Sequence, residues 1–258
     1  MTGQLTRDER SAELDRRVTT AVDADGTDCL DPGSLPSADD RWYGRLLALS
    51  YDAVAPTPDR TVTLTAGTAI ELLREYWLVR EQLIDTDDAA ASRRELTTRL
   101  LASDYRYTSA YSTLGDLQTE RLTECFEVFS AVSESLIETL GTPSPDHSDP
   151  DEVRFAERTA GALGRGAASI GAILADADER QRDRLETLGS GVATARAVRA
   201  AIDGDGATAA TDGTDTRALR RYANRRLQAA QRALEELSES ATTASLKGLL
   251  DDAPASEA

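Results

Sequence analysis

Apolar residues recur every three or four positions along almost the whole chain, and this period constrains the fold more than any other feature. In residues 60–85 the apolar side chains Ala69, Leu72, Tyr76 and Val79 follow one another at that spacing, as in a helix with one buried face. Almost nothing in the chain alternates with the period of two that is typical of a half-buried strand. The sequence therefore predicts an all-α protein.

Segments rich in Gly, Pro, Asp, Ser and Thr interrupt this pattern and divide the chain. We interpret residues 1–40 as an N-terminal helix and loop, 41–250 as one helical domain, and 251–258 as a disordered tail. A chain of 258 residues is long enough for such a domain to bury a large core. Helices are predicted at 4–23, 41–54, 60–85, 92–115, 118–140, 150–175, 178–202, 215–237 and 242–250.

The charge of the chain is strongly acidic, with 46 Asp and Glu against 29 Lys and Arg and a formal net charge of −17. Lys247 is the only lysine, and the acidic residues are spread along the whole chain. Hydrated carboxylates in this number suit a salt-rich cytoplasm, where salt screens their mutual repulsion. Because no basic stripe is visible, the composition argues against a nucleic-acid partner.

Cysteine and histidine are too few for several common kinds of site. Cys29 and Cys125 make neither a disulfide framework nor a zinc site, and His147 stands alone in a loop rich in Pro and Asp. A histidine-based triad is therefore nearly excluded. The chain shows neither a signal peptide nor an apolar run of eighteen residues, so we expect a cytoplasmic protein without a membrane span.

Four helical segments stand out along residues 41–250. In chain order they read "GTAIELLREYWLVREQLID", "LLASDYRYTSAYSTL", "ERTAGALGRGAASIGAILADADERQRDRLETLG" and "LRRYANRRLQAAQRALEEL". In this order and at these rough spacings, the segments resemble the trans-isoprenyl diphosphate synthases, also called polyprenyl synthetases. The resemblance implies an isoprenoid-synthase-like helical bundle.

The resemblance also implies a metal site, which this chain departs from. Members of the family hold a leaving diphosphate with magnesium bound to two Asp-rich motifs on facing helices. The first motif falls on residues 81–85, where Glu81 and Asp85 remain acidic but the second position is a glutamine. The second motif falls on residues 199–203, where Arg199 replaces an acid and Asp203 alone remains. We expect no catalytic residue and no cofactor, with Mg²⁺ only if residual activity survives.

Weaker signals concern the diphosphate and the product tunnel. Two of these signals have a second interpretation: Arg93 and Arg94 as solvated surface residues of the next helix, and the rings as core packing on a buried helix face. By resemblance, the residues that could bind a diphosphate are Arg41, Arg45, Arg93, Arg94, Arg158 and Thr159, and those that could line a tunnel are Tyr76 and Trp77.

Three functions fit these observations. The first is a non-catalytic isoprenyl diphosphate synthase homologue, a partner or regulatory subunit of an active prenyl synthase in lipid biosynthesis. The second is an active short-chain prenyltransferase with a reduced magnesium site, and the third is a helical scaffold that has lost isoprenoid chemistry. We expect the chain to form a homodimer, or a heterodimer with an active synthase, through the helices of residues 100–117 and 122–140, and an isoprenoid diphosphate is a candidate ligand. The second of these helices carries an apolar stripe that a monomer could also bury in its own core, formed by Leu122, Phe126, Phe129, Val132, Leu136 and Leu140.

Overall fold

The computed structural model describes residues 6–23, 41–85, 92–141, 149–204, 213–238, 241 and 243–251. The predicted loop at 24–40 and residues 252–258 of the predicted tail lie outside these residues. The helices are α1 (Arg7–Asp23), α2 (Trp42–Val54), α3 (Arg60–Asp85), α4 (Arg93–Gly115), α5 (Leu122–Leu140), α6 (Asp149–Ala156), α7 (Ala162–Leu174), α8 (Glu179–Gly204), α9 (Gly213–Leu237) and α10 (Ala244–Asp251).

The all-α prediction is confirmed, because the part of the chain that the structure describes contains helices and their connections and no strand. None of the helices in this part combines the length and the apolar character that would let it cross a bilayer. Most predicted helix bounds agree with the structure to within a few residues.

The predicted helix 150–175 agrees with the continuous helical segment 149–174, but this segment contains a π-helical turn that the sequence pattern did not indicate. A π-helical turn at Glu157–Gly161 separates α6 from α7. The hydroxyl of Thr159 donates to the carbonyl of Phe155, and the hydroxyl of Ser135 on α5 donates to the carbonyl of Arg158. Such wide turns inside helices often occur at functional sites. The spacing of apolar residues does not reveal this turn, because one of its hydrogen bonds comes from Ser135 on a neighbouring helix.

Helix α3 forms the centre of the fold and packs against α1, α2, α4, α5 and α7. Its residues Ala69, Leu72 and Leu73 are completely buried. The N-terminal helix α1 joins the same core, since Leu14 and Val18 are buried against it. The sequence does not indicate this packing clearly, because α1 is mostly polar and its packing depends on Leu14 and Val18, two apolar residues on one face.

Glycines let α7 pack closely against two neighbouring helices, α8 and α2. At the crossing of α7 and α8, a Cβ atom on Gly164 would collide with the carbonyl oxygen of Gly189, and the reverse also holds. At the crossing of α2 and α7, a Cβ atom on Gly171 would collide with the carbonyl oxygen of Leu47. These backbone contacts fix α2, α7 and α8 relative to one another.

The apolar stripe of α5, considered from sequence as a dimer face or as part of the chain's own core, lies largely in the core. Phe129 and Leu136 are completely buried, and Val132 is nearly so. The ring of Tyr111 on α4 packs edge-on against Phe129, with centroids 5.0 Å apart. Ile137, which is also on α5, is an apolar residue that is exposed, at 45%.

Candidate functional site

A cleft of about 300 Å³ opens between the start of α2, the middle of α3, the π-helical turn and the second half of α8. Its floor and walls combine aromatic rings, small apolar side chains and three charged groups. A volume of this size is at the lower end of the range for small-molecule sites. The lining residues are Trp42, Tyr43, Arg74, Ala160, Ala193, Arg196, Ala197, Ala200 and Asp203.

Two arginines in the cleft lie against aromatic rings. The guanidinium of Arg74 lies 5.8 Å from the ring centroid of Tyr43, and that of Arg196 lies 5.2 Å from the ring centroid of Trp42. At these distances a ring face attracts a cation and holds the planar guanidinium in place.

The second predicted motif, at the end of α8, lies partly in this cleft. Asp203 is exposed and lines the cleft, together with Ala200. Arg199 is turned towards α9, where its Nη2 atom donates to Oδ1 of Asn224 at 2.9 Å. Burial lowers the pKa of Arg199, although the nearby charge of Asp203 opposes this shift. The carboxylate set of a magnesium site is thus represented here by a single acid.

The first predicted motif lies in the last turn of α3. Glu81 is half-buried, whereas the side chain of Asp85 lies outside the described part of the structure. The neighbouring Arg80 forms an ion pair with Asp104 on α4 and lies over the ring of Tyr76. Within the described residues, no cluster of three or more acidic, Cys or His side chains is arranged to hold a metal ion. Of the two acids of this motif, the structure thus describes the side chain of Glu81 alone.

A buried ion-pair network lies behind the cleft and was missed by sequence reasoning. Glu75 on α3 accepts from Nη1 of Arg41 at 2.7 Å and from Nε of Arg106 at 3.1 Å. Asp15 on α1 accepts from Nη2 of Arg41 at 2.6 Å. These hydrogen bonds raise the pKa of Arg41 even though its burial acts in the opposite direction. Arg41 therefore ties α1 and α3 together rather than facing the cleft.

Arg41 also has an unusual backbone. Its φ of 50° and ψ of 48° place it in the left-handed region, at the residue that precedes α2. A non-glycine residue in this region is uncommon and costs about 1–2 kcal/mol. The ion pairs with Asp15 and Glu75 hold the residue in this conformation.

Glu71 connects the buried network to the cleft. Its side chain is completely buried, and Oε1 accepts from the backbone N–H of Gly44 at 2.8 Å. Oε2 lies 3.8 Å from Nη1 of Arg74 and 4.0 Å from Nη1 of Arg41, and has no hydrogen-bond donor in the described structure. Burial raises the pKa of Glu71, against the lowering effects of Arg74, the Gly44 N–H and Arg41.

The other arginines named from sequence lie elsewhere. Arg45 is buried within α2, at 4% exposure. Arg93 and Arg94 are exposed in the first turn of α4. Ser92 and Glu95 form a capping box at this end of the helix. Arg158 is exposed on the π-helical turn. None of these four side chains lines the cleft described above.

Three further residues named from sequence lie in the interior. Thr159 is buried, and its hydroxyl is bonded to the helix backbone. Tyr76 and Trp77 are both buried in the main core. The ring of Tyr76 packs on Tyr107 with centroids 5.0 Å apart, and that of Trp77 packs on Phe155 at 5.8 Å. These rings fill the space beside α3 with aromatic contacts.

One sequence signal could have revealed the residues that reasoning missed. Glu71, Arg74 and Glu75 interrupt the apolar run of α3 at positions that share the buried side of the helix. Charged residues at buried positions require partners of opposite charge. That requirement predicts arginines from neighbouring helices at this point, but it leaves open which arginines supply them.

Comparison with known proteins gives a consistent set of relatives, although no family model matches the chain. A dimethylallyltranstransferase of Mycobacterium tuberculosis is 28% identical over 162 residues, covering 58% of this chain and 50% of that protein. A short chain isoprenyl diphosphate synthase of Methanocaldococcus jannaschii is 23% identical over 136 residues, covering 48% and 41%. The chain thus spans about half the length, or less, of the curated relatives that it matches.

A solved structure resembles the fold over nearly its full extent. The polyprenyl synthetase from Streptomyces coelicolor A3(2) superposes with a TM-score of 0.75 at 19% identity, covering 96% of this chain and 99% of that one. At this identity the likeness shows the fold. Together with the sequence relatives, it confirms the resemblance and the isoprenoid-synthase-like bundle that the four sequence segments predict.

Proposed function

We propose that this chain, whose homologues in sequence and structure are trans-isoprenyl diphosphate synthases, is an isoprenyl diphosphate synthase-like protein of isoprenoid biosynthesis that does not itself catalyse prenyl transfer. Its role is that of a partner or regulatory subunit of an active prenyl synthase. The observation that carries the proposal is the lining of the cleft, where Arg74 and Arg196 stand with Asp203 as the acid.

The chemistry of prenyl transfer explains why this lining argues against activity of the chain alone. The reaction that the resemblance implies expels a diphosphate, whose charge must be balanced by metal ions held on several carboxylates. Asp203 supplies one carboxylate at the cleft, and Glu81 is half-buried at the end of α3. Arg199, at a position where the family has an acid, is bonded to Asn224. Among the described side chains of the two motifs, Glu81 and Asp203 are too few acids to hold two metal ions.

Exposed apolar side chains on α4 support a partner role. Leu100 and Leu101 are adjacent in sequence, and 40% and 51% of their surfaces are exposed. They belong to the segment "LLASDY", which the resemblance places on a helix that synthases bury on dimerisation. Most of the apolar stripe on α5 is satisfied within the chain, so α4 provides the more exposed surface for a synthase of the same fold.

A capture experiment tests the proposal. The tagged chain is expressed in its native host, and recovered proteins are identified by mass spectrometry. An active prenyl synthase should be recovered, and adding the chain to that synthase should change its rate or product length. The variant Leu101→Asp should lose the partner, whereas Gln231→Asp, at an exposed position of α9, should retain it.

The chain alone is assayed in parallel with Mg²⁺, isopentenyl diphosphate and a short allylic diphosphate. We expect no product. Rapid product formation by the chain alone would overturn the non-catalytic assignment and favour an active prenyltransferase with a reduced magnesium site. Failure to recover any synthase, together with a monomeric chain in solution, would favour a scaffold without isoprenoid chemistry.

A further inference from the structure

We propose that the exposed face of α9 is a docking surface for a membrane that carries anionic lipid headgroups. The proposal goes beyond the proposed function, because it concerns neither the cleft nor the apolar side chains of α4. The surface, called the arginine face, consists of the exposed side chains within residues 216–234. All of these are Arg, Asn or Gln: Arg217, Arg220, Arg221, Asn224, Arg225, Gln228, Gln231 and Arg232.

The charge of the arginine face is opposite to that of the chain as a whole. Residues 216–234 contain six arginines and no acid, whereas 46 of the 258 residues of the chain are Asp or Glu. The net charge of −17 does not reveal this face, which corrects the expectation of a chain without a basic stripe. Charges act over about 8 Å at physiological ionic strength, so a surface in contact with α9 interacts chiefly with these arginines.

The five exposed arginines have no acidic partner among the described residues. At the other end of α9, by contrast, Glu236 pairs with Arg184 of α8 at 2.8 Å. Arg217, Arg221 and Arg225 follow one another at intervals of four residues, a spacing at which like charges repel and destabilise a helix. An anionic surface against α9 would offset this repulsion.

The packing of α9 on α8 fixes the direction of the arginine face. Ala223 is completely buried, and a Cβ atom on Gly191 of α8 would lie 2.9 Å from the carbonyl oxygen of Arg226. Arg226 itself is half-buried, and its Nη2 atom donates to Oγ of Ser190 at 2.8 Å. The helix therefore cannot rotate to cover its exposed arginines, which span about 22 Å of the helix axis.

The composition of the arginine face favours a lipid surface over a protein partner. The core of a protein–protein interface is apolar, and ion pairs between exposed side chains contribute little by themselves. The arginine face has no exposed apolar side chain. An anionic lipid surface, however, attracts a cluster of about four to eight cations on a helix, and guanidinium groups form paired hydrogen bonds with phosphate. Charge complementarity therefore identifies the lipid headgroups as the partner.

The one aromatic residue within 216–234 argues against single-stranded nucleic acid as the partner. Tyr222 is half-buried, and its hydroxyl donates to Oε1 of Glu157. The guanidinium of Arg225 lies over its ring, 5.6 Å from the centroid. Binding of a single strand depends strongly on bases that stack on free aromatic rings. The ring of Tyr222 is already engaged within the protein.

Cosedimentation of the full chain with vesicles tests the proposal. One set of vesicles contains phosphatidylglycerol and phosphatidylcholine in equal amounts, and the neutral set contains phosphatidylcholine alone. The potassium chloride concentration is the lowest at which circular dichroism shows the wild type folded. The chain should bind the anionic vesicles and not the neutral ones, and binding should weaken as the salt concentration is raised further.

Two triple variants locate the binding surface. The first removes three arginines of the face: Arg217→Gln, Arg221→Gln and Arg225→Gln. The control removes the same charge from exposed positions of α4 and α7: Arg93→Gln, Arg94→Gln and Arg165→Gln. Each arginine beside an anionic membrane strengthens binding about fivefold, so the first variant should bind about a hundredfold more weakly. The control should bind as the wild type does.

Four outcomes would overturn the proposal: no binding to the anionic vesicles, equal binding to both sets, equal losses in the two triple variants, or tighter binding to single-stranded RNA. Release from the vesicles by dilute inorganic phosphate at constant ionic strength would also overturn it, because the face would then be a site for free phosphate. None of these results affects capture of a synthase through α4, which tests the proposed function alone.

Discussion

The guanidinium of Arg41 lies 2.7 Å from the carboxylate of Glu75, and both side chains are buried. The other carboxylate oxygen of Glu75 accepts from Arg106 at 3.1 Å. Two buried cations, one preceding α2 and one on α4, therefore share this acid of α3. Because the cleft begins at the next residue, Trp42, this network fixes the position of the cleft as well as the stability of the fold.

Replacing Glu75 with alanine should strongly destabilise the protein. The change leaves Arg41 and Arg106 buried without their shared acceptor, and breaking a buried ion pair in this way typically costs about 3–5 kcal/mol. Urea-induced unfolding at fixed salt measures the free energy of unfolding. Asp15→Asn is the matched control, since its side chain is 61% exposed and a surface ion pair contributes about 0–1 kcal/mol. Equal losses in the two variants would contradict the assignment.

The buried carboxyl group of Glu71 should make stability depend on pH. Burial raises its pKa in the folded state above the ordinary value of 4.5, so the folded protein binds a proton more tightly than the unfolded chain. This contribution to stability is fully present below the unfolded pKa and is lost as the pH rises through the folded pKa. Relative to wild type, Glu71→Gln should therefore gain stability as the pH rises above about 4.5.

Urea unfolding of wild type and Glu71→Gln, compared at several pH values from 4 to 8, measures this difference. The glutamine keeps an oxygen that can accept from the Gly44 N–H. A difference between the two proteins that stays constant over this range, or changes in the opposite direction, would show that the pKa of Glu71 is not raised.

Phe129→Asp should prevent folding rather than produce a soluble monomer. Phe129 is completely buried inside the chain, where an unpaired charge is costly. Ile137→Asp makes the same change on the same helix at a position with 45% exposure, and should leave the fold intact. Circular dichroism and light scattering in concentrated salt distinguish the two results. A folded, monomeric Phe129→Asp protein would place this residue at an interface instead.

Salt should raise the melting temperature. A formal net charge of −17 on 258 residues repels itself in the compact state, and this repulsion is screened as ionic strength increases. Thermal melts in dilute buffer and in molar potassium chloride should therefore differ clearly. An unchanged melting temperature would reject adaptation to a salt-rich cytoplasm.

The two altered motifs show how much of the site could be predicted from the sequence. Alignment by resemblance selects Glu81, Asp85, Arg199 and Asp203, of which Asp203 lines the cleft. This alignment does not show in which direction the side chain at a motif position points. Arg199 occupies a motif position, yet it bonds to Asn224 on α9 because its side chain follows the packing of α8 against α9. Arg196, about one turn earlier, is an arginine of α8 that does line the cleft.

The sequence by itself determined the helical class, most helix bounds and the family resemblance, since periodicity and capping signals such as Ser92 with Glu95 are local. Only the tertiary structure decided which arginines line the cleft. Arginines look alike in sequence, but those that line the cleft were selected by the directions in which packed helices project them. The close crossings of α2, α7 and α8 set those directions, and they depend on contacts between residues far apart in the chain.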